Sequence, residues 1–192
     1  MSDLIEVNKL VKYIQTEPLV ITFPKLNVDS LHITLYCDAS FRNLPDGGSQ
    51  GGHIIFLCDD DENCCPIAWS SSRIKRIVHS TLAAETLSLV DGSGTALYVQ
   101  SLMNVVVSCR EVINVLTDNK SLYDTTHAKK PTNDKRLRVD IAGIKEMLDL
   151  KQIDIKAIPG KEQLADILTK RGASPHSLLS VLRNAKLYMV SK

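Results

Sequence analysis

The alternation of apolar and polar positions predicts an N-terminal helix followed by three strands. The helix covers residues 3–15, where apolar side chains recur at helical spacing. Runs of β-branched and aromatic residues favour strands at 32–38, 53–59 and 66–72. Turn-forming residues at 43–48 separate the first two runs, and polar residues separate the next two. Such short connections are typical of an antiparallel meander.

From Ser80 onward the hydrophobic period becomes helical, and helices alternate with strands. A capping residue at Ser80 or Thr81 starts a long helix, in which Gly92 and Gly94 predict a bend. The remaining elements are a strand at 111–118, helices at 119–126 and 134–150, a strand at 153–158, and helices at 161–170 and 174–186. A strand–helix–strand order predicts parallel pairing with an earlier strand. The pattern therefore predicts an α/β fold with one mixed sheet flanked by helices.

Length, composition and charge exclude several classes of protein. A chain of 192 residues, 44% hydrophobic and 23% charged, has the profile of one globular domain and not of a disordered or collagen-like protein. No cationic and apolar leader opens the chain, and no apolar run reaches the roughly 18–20 residues of a membrane span, so we expect no membrane partner. With 23 basic and 22 acidic residues, a nucleic-acid surface requires segregation of charge within the chain.

The five cysteines predict no zinc site. Cys58, Cys64 and Cys65 lack the paired spacing of zinc ligands, and Cys37 and Cys109 lie in or beside apolar runs. We therefore expect reduced thiols in an intracellular compartment.

Two apolar runs are each followed by an aspartate, Asp38 and Asp118. Aspartate is disfavoured in strands, and ligands of open α/β sheets bind beyond the carboxyl ends of the strands, which favours a shared site. The alternative is that each residue begins a turn or caps a helix, and for Asp118 capping explains the residue equally well.

Glu85 and Asp166 are two further candidate acids. Glu85 lies in a segment of otherwise apolar or small residues, where a carboxylate destabilises the fold unless a positive charge compensates it. The alternative is a stabilising interaction with the helix N-terminus. Asp166 is spaced by four residues from Glu162 and Lys170, which by itself favours a solvated face with an ion pair.

Five strings of sequence resemble, in order and spacing, the ribonuclease H domain of copia-type LTR retrotransposon polyproteins. They are YCDASF, GGSQGGHIIFL, PIAWSSSRIKRIVHSTLAAET, LTDNKSLYD and IPGKEQLADILTK. The resemblance covers residues 32–172 and implies a five-stranded mixed sheet, three antiparallel strands and then parallel ones, flanked by helices. Residues 1–31 are similar to the segment that links the reverse transcriptase to this domain, and 173–192 form a C-terminal helix and tail.

The resemblance implies cleavage of the RNA strand of RNA–DNA hybrids by a two-metal mechanism, giving 5′-phosphate and 3′-hydroxyl ends. The family's metal-binding acids correspond to Asp38, Glu85, Asp118 and Asp166. Such carboxylates suit two Mg²⁺ ions, or Mn²⁺. We expect Asp38 to bridge both ions, Glu85 and Asp118 to bind one, and Asp166 the other. Glu85 is also expected near the RNA 2′-hydroxyl.

Binding of the hybrid requires local positive charge, and two segments supply it. The candidate contacts are Arg73, Lys75, Arg76, Asn119, Lys129, Lys130, Lys135, Arg136 and Arg138. For each one the alternative is an ordinary solvated surface. The acidic tip, residues 59–62, is expected to face away from the duplex.

Further expectations follow from the resemblance. Partners are the hybrid and a reverse transcriptase domain of the same polyprotein, in a cytoplasmic virus-like particle or the nucleus. Many cellular ribonucleases H have a histidine in the loop before the last acid, whereas this chain has none between His127 and His176. The competing hypotheses are a non-catalytic module of the same fold that binds nucleic acid or protein, and a relative that cuts DNA.

Overall fold

A computed structural model describes residues 2–16, 20–130, 132 and 134–188. Within them the chain forms five strands and six α-helices. The strands are β1 (His32–Ser40), β2 (Gln50–Cys58), β3 (Cys64–Arg73), β4 (Ile113–Thr117) and β5 (Ile153–Ala157). The helices are α1 (Ser2–Thr16), α2 (Thr81–Met103), α3 (Lys120–His127), α4 (Arg138–Asp149), α5 (Asp166–Thr169) and α6 (His176–Asn184). Two 3₁₀ turns cover Val28–Ser30 and Gly160–Glu162.

The strands form one mixed sheet in the order β3-β2-β1-β4-β5. The first three are antiparallel neighbours, whereas β4 pairs parallel to β1 and β5 pairs parallel to β4. The predicted mixed five-stranded architecture is therefore confirmed. Because β4 and β5 run parallel to β1, the carboxyl ends of all three strands lie at the same edge of the sheet.

Alternate residues of the central strands contribute to two hydrophobic cores. Ile33 and Leu35 of β1 pack in the core that α2 and α4 cover, through side chains such as Leu89 and Ile144. Tyr36 of β1 packs in the other core, which α6 and the segment before α5 close. The two-residue period of a strand sends its side chains to opposite faces, so both faces of the central strands are buried.

The structure differs from the predicted elements in three places. Helix α2 runs without interruption through Gly92, where an added Cβ would lie 3.3 Å from side-chain atoms of His53 and Leu35; the glycine allows close packing and does not bend the helix. Helix α4 begins at Arg138, later than expected. The single helix predicted for 161–170 is wrong, since this segment forms a 3₁₀ turn and the short helix α5.

The N-terminal helix has the predicted position but little packing. Its apolar side chains are about half exposed or more, for example Leu4 at 68% and Ile14 at 57%. After it, the backbone N–H of Thr22 donates to the Leu182 carbonyl, and the Thr22 hydroxyl donates to that of Arg183, so this segment contacts the end of α6. Among the described residues, no helix has the length and apolar character that crossing a bilayer requires.

Candidate metal centre and nucleic-acid interface

Strands β1 and β4 place Asp38 and Asp118 at the same edge of the sheet. Asp118 directly follows β4, as expected, whereas Asp38 lies inside β1, which continues to Ser40 by pairing with β2. Parallel pairing of β1 with β4 ends at Tyr36. Asp38 therefore lies beyond the end of its parallel neighbour, in the crevice where α/β sheets bind ligands.

Helix α2 brings Glu85 to the same point. The hydroxyl of Ser80 caps the helix by accepting from the backbone N–H of Ala83, which fixes its start near the sheet edge. One carboxylate oxygen from each of Asp38, Glu85 and Asp118 lies within 4.8 Å of the other two. Asp38 and Glu85 are buried. Three of the four predicted acids thus come together from distant parts of the chain.

Burial and mutual repulsion alter the protonation of this cluster. The pKa of Glu85 is raised to about 8, first by burial and then by the charges of Asp38 and Asp118, with the Asn119 amide acting in the opposite direction. Burial also raises the pKa of Asp38. Raised pKa values of this kind are typical of carboxylates that bind a cation, because a nearby positive charge removes the repulsion.

The fourth acid, Asp166, is not in the three-carboxylate cluster but is connected to it through Lys170. The ammonium of Lys170 lies 2.6 Å from Asp166 Oδ1 and 3.2 Å from Asp38 Oδ1. The Thr169 hydroxyl donates to Asp38 Oδ2. The i,i+4 ion pair considered for Asp166 is therefore present, and the same lysine bridges two of the predicted acids.

Sequence reasoning missed the polar residues that hold this segment against β1. The Gln163 amide donates to the Cys37 carbonyl at 3.0 Å, and its oxygen accepts from the Ala165 N–H. At Gly52, the partner of Asp38 in β2, an added Cβ would lie 2.8 Å from side-chain atoms of Leu168 and Thr169. One signal was available: Thr169 and Lys170 follow Asp166 by three and four residues, the spacing of one helix face.

The donor set of the cluster fits a hard divalent cation. All three groups offer carboxylate oxygen, which Mg²⁺ and Mn²⁺ prefer. Glu85 Oε2 is buried and has no hydrogen-bond partner among the described residues. An oxygen in that condition is costly to bury unless a ligand binds it. The residues present are therefore suited to hold such an ion.

Both predicted basic segments lie at the same edge of the sheet as the acids. The first follows β3, whose last residue, Arg73, pairs with Gln50 beyond Asp38 and Gly52. The second connects α3, which begins after Asp118, to α4. Arg76 of the first segment donates to both oxygens of Asp140 in α4, each at 2.9 Å, which joins the two segments.

The candidate basic residues differ in whether their side chains already have a partner within the protein. Arg73 pairs with Asp46, Arg76 with Asp140, and the Asn119 side chain caps α3 by accepting from the Leu122 N–H. The other candidate cations are free, in that they are exposed and form no ion pair with any described residue; these free cations are Lys75, Lys129, Lys130, Lys135, Arg136 and Arg138. Exposed and unpaired cations of this kind are suited to contact the phosphate groups of a nucleic acid.

The acidic hairpin lies at the opposite end of the sheet. Cys58, just before the acidic residues 59–62, pairs with His32, six residues from Asp38 along β1. That separation is about 20 Å at the rise of a strand. The acidic hairpin therefore lies away from the free cations, and the cations in contact with it are Arg110, which pairs with Asp60, and Lys186, which donates to the Asp61 carbonyl.

Comparisons with known proteins identify the fold. No protein-family model matches this chain. None of the curated proteins matches it. Among solved structures it is similar to LC11-RNase H1 in complex with an RNA/DNA hybrid, with 18% identity and a TM-score of 0.54 over 71% of this chain and 93% of that one. This chain has the ribonuclease H fold.

Two further structures give the same result. RNase H1 from the halophilic archaeon Halobacterium salinarum is 21% identical with a TM-score of 0.52, over 72% of this chain and 94% of that one. The foamy viral protease-reverse transcriptase in complex with an RNA/DNA hybrid is 17% identical with a TM-score of 0.53, over 80% of this chain and 21% of that one. At these identities the similarity establishes the ribonuclease H fold, and function must be argued from the site.

Proposed function

We propose that this chain is a metal-dependent endoribonuclease that hydrolyses the RNA strand of RNA–DNA hybrids. The observation that carries the proposal is the cluster of Asp38, Glu85 and Asp118 at the edge of the sheet where the free cations collect. The ribonuclease H fold, shared with proteins whose structures contain RNA/DNA hybrids, supports the choice of substrate.

The acids of the cluster would hold Mg²⁺ or Mn²⁺, with Asp38 central and Asp166 completing the set. When bound, a pair of such ions supplies activation of a water and stabilisation of the leaving 3′ oxygen. The reaction adds water across the phosphodiester: the P–O3′ bond breaks, the phosphate keeps the 5′ oxygen, and the 3′ oxygen gains a proton. Glu85, the most buried acid of helix α2, would lie near the 2′-hydroxyl that distinguishes RNA from DNA.

The free cations bind the phosphate backbone of the duplex. Lys75 precedes α2, Lys135 and Arg136 lie between α3 and α4, and Arg138 begins α4, so these cations lie near the starts of α2 and α4. Contacts to phosphate supply affinity and orientation without reading sequence. The cleavage preference therefore depends on the sugar and on the shape of the hybrid.

We further propose that the chain functions next to a reverse transcriptase domain, as in a copia-type polyprotein. The supporting observations are the five sequence strings and the similarity to a viral protease-reverse transcriptase. The exposed apolar side chains of α1 agree with a segment that contacts a neighbouring domain.

A cleavage assay on labelled duplexes tests the proposed activity. With Mg²⁺ or Mn²⁺ the chain should cut an RNA–DNA hybrid, leaving 5′-phosphates, and spare double-stranded RNA and double-stranded DNA. Asp38→Asn should lower the rate by roughly a thousandfold or more, because the lost ligand stabilises the transition state by several kcal/mol. Asp149→Asn, at the far end of α4, is the matched control and should cleave normally.

Three outcomes would contradict the proposal. Binding of the hybrid without cleavage by a folded sample would favour the non-catalytic module. Cleavage of double-stranded DNA would favour a DNA-cutting relative. Cleavage that persists in Asp38→Asn would exclude the assigned metal centre.

A further inference from the structure

Lys170 occupies an unusual position for a surface lysine. Its side chain is 41% exposed, yet its ammonium reaches Asp38, which is fully buried, and Asp166 at the same time. The two contacts are 3.2 Å and 2.6 Å long. The ammonium therefore lies between two acids that the proposed function assigns to metal binding.

The segment that carries Lys170 is held firmly against the sheet. The Ser71 hydroxyl donates to the Leu168 carbonyl at 2.6 Å, and the Asn43 amide donates to the Thr169 carbonyl at 2.7 Å. The backbone N–H of Lys170 donates to the Asp166 carbonyl. With its backbone fixed in this way, the lysine can leave Asp38 only by rotation of its own flexible side chain.

The carboxylate oxygens of Asp38 are both engaged. Thr169 donates to Oδ2 and Lys170 binds Oδ1. A divalent cation that binds Oδ1 would therefore lie close to the ammonium, and repulsion between the two positive charges makes them compete for Asp38. The exchange is favourable because a divalent ion carries twice the charge, and because the partly exposed Lys170 side chain can return to solvent.

We propose that Lys170 is a built-in counter-ion that stabilises the acidic cluster before metal binds, competes with the metal for Asp38, and so sets the metal concentration at which the centre fills. This inference rests on the proposed metal-binding function. It makes Lys170 a positioning residue, since its effect on the reaction passes through Asp38.

The charge balance of the cluster agrees with this role. Asp38, Glu85 and Asp118 lie within 4.8 Å of one another, and Lys170 is the only cation that forms an ion pair with any of the three among the described residues. A buried carboxylate left without its partner destabilises a protein strongly. The lysine thus stabilises the fold by the same contact that opposes metal binding.

Metal titration of Lys170→Gln tests the proposal without nucleic acid. The protein is first freed of divalent ions, and Mn²⁺ binding is measured by calorimetry. We expect the variant to bind Mn²⁺ roughly tenfold more tightly than the unmodified chain, because the competing charge is gone and the contact was half exposed. Lys161→Gln, which removes an exposed lysine from the same connection, is the matched control and should leave the affinity unchanged.

The effect of Mn²⁺ on thermal unfolding provides a second readout, because a purely structural role of Lys170 would give a difference in unfolding temperature that does not depend on metal. Without divalent ions, Lys170→Gln should unfold at a lower temperature than the unmodified chain. Saturating Mn²⁺ should reduce or reverse that difference, since metal binding stabilises the folded state according to its affinity. Lys170→Met, which keeps the length of the side chain, serves if the glutamine variant does not fold.

The outcomes separate this inference from the proposed function. Equal Mn²⁺ affinities of the unmodified chain and Lys170→Gln, with binding abolished in Asp38→Asn, would overturn the role of Lys170 and leave the metal centre standing. Tightening by Lys161→Gln equal to that by Lys170→Gln would also overturn it. If neither the unmodified chain nor Lys170→Gln shows Mn²⁺ binding that is lost when Asp38 is replaced by asparagine, both proposals are overturned.

Discussion

Two buried aspartates at opposite ends of the β1–β2 hairpin have contrasting surroundings. Asp59 is 2% exposed and accepts four hydrogen bonds of 2.9–3.0 Å, three of them from backbone N–H groups. Although burial raises its pKa, these bonds bring it below the usual value. Asp38 is 0% exposed, lies beside two other carboxylates, and has a pKa above the usual value.

Depth of burial therefore does not distinguish Asp59 from Asp38, for which we propose metal binding. Backbone donors compensate the charge of Asp59 permanently, so its contribution is to the fold. Asp38 is compensated by a hydroxyl and by a flexible ammonium that a stronger cation can replace. The donors around a carboxylate, and not its accessibility, indicate its role.

Exchanging each aspartate for asparagine should separate the two roles. Asp59→Asn places an amide opposite N–H donors, and we expect the free energy of unfolding to fall by about 2–4 kcal/mol. Asp38→Asn removes a desolvated charge from among like charges, so the free energy of unfolding should stay within about 1 kcal/mol of the original. Urea unfolding of both variants measures this. A larger decrease for Asp38→Asn than for Asp59→Asn would contradict the comparison.

Glu85→Gln should change the dependence of stability on pH. Between pH 4.5 and about 8 the folded chain keeps the Glu85 proton that the unfolded chain releases, so the free energy of unfolding decreases as pH rises through this window. The variant should lack that decrease and be more stable by about 2 kcal/mol at pH 8.5 without metal. Unfolding curves across the window measure the effect. Glu146→Gln, an exposed site on α4, is the control, and a parallel decrease in Glu85→Gln would refute the assignment.

The free cations near the acidic cluster and the cation at the acidic hairpin should also differ in their contribution to hybrid binding. Replacing Lys135 and Arg136 by alanine should weaken binding and lower the slope of log affinity against log salt by about 0.7–0.9 for each phosphate that is no longer neutralised. Lys186→Ala, whose side chain donates to the Asp61 carbonyl in the acidic hairpin, should leave the slope unchanged. Binding of a hybrid measured from low to moderate salt tests both. An equal change in Lys186→Ala would show that the position of the free cations has no role in binding.

The sequence predicts those features that local pattern determines. Runs such as residues 32–38 and 111–118 have the β-branched composition of strands, and Ser80 has the chemistry of a helix cap, so the element order and the mixed sheet were confirmed. Placing Asp38 and Asp118 at one edge needed only the parallel connection between their strands.

The remaining features depend on contacts between distant parts of the chain. Residues 161–170 have helical periodicity, yet the bond from Gln163 to the Cys37 carbonyl, 126 positions away, favours an extended connection. The contact of Lys170 with Asp38 spans 132 positions. In the sequence Lys170 is only an i,i+4 partner of Asp166, and nothing local shows that it reaches a second acid.

A crystal structure after soaking in Mn²⁺, with anomalous scattering to locate the metal, would show directly whether the three clustered acids bind a divalent ion. We expect manganese to be bound by oxygen atoms of Asp38, Glu85 and Asp118, with the Lys170 ammonium withdrawn from Asp38. Manganese found only on surface carboxylates outside this cluster, in crystals of a chain that folds as described, would contradict this expectation.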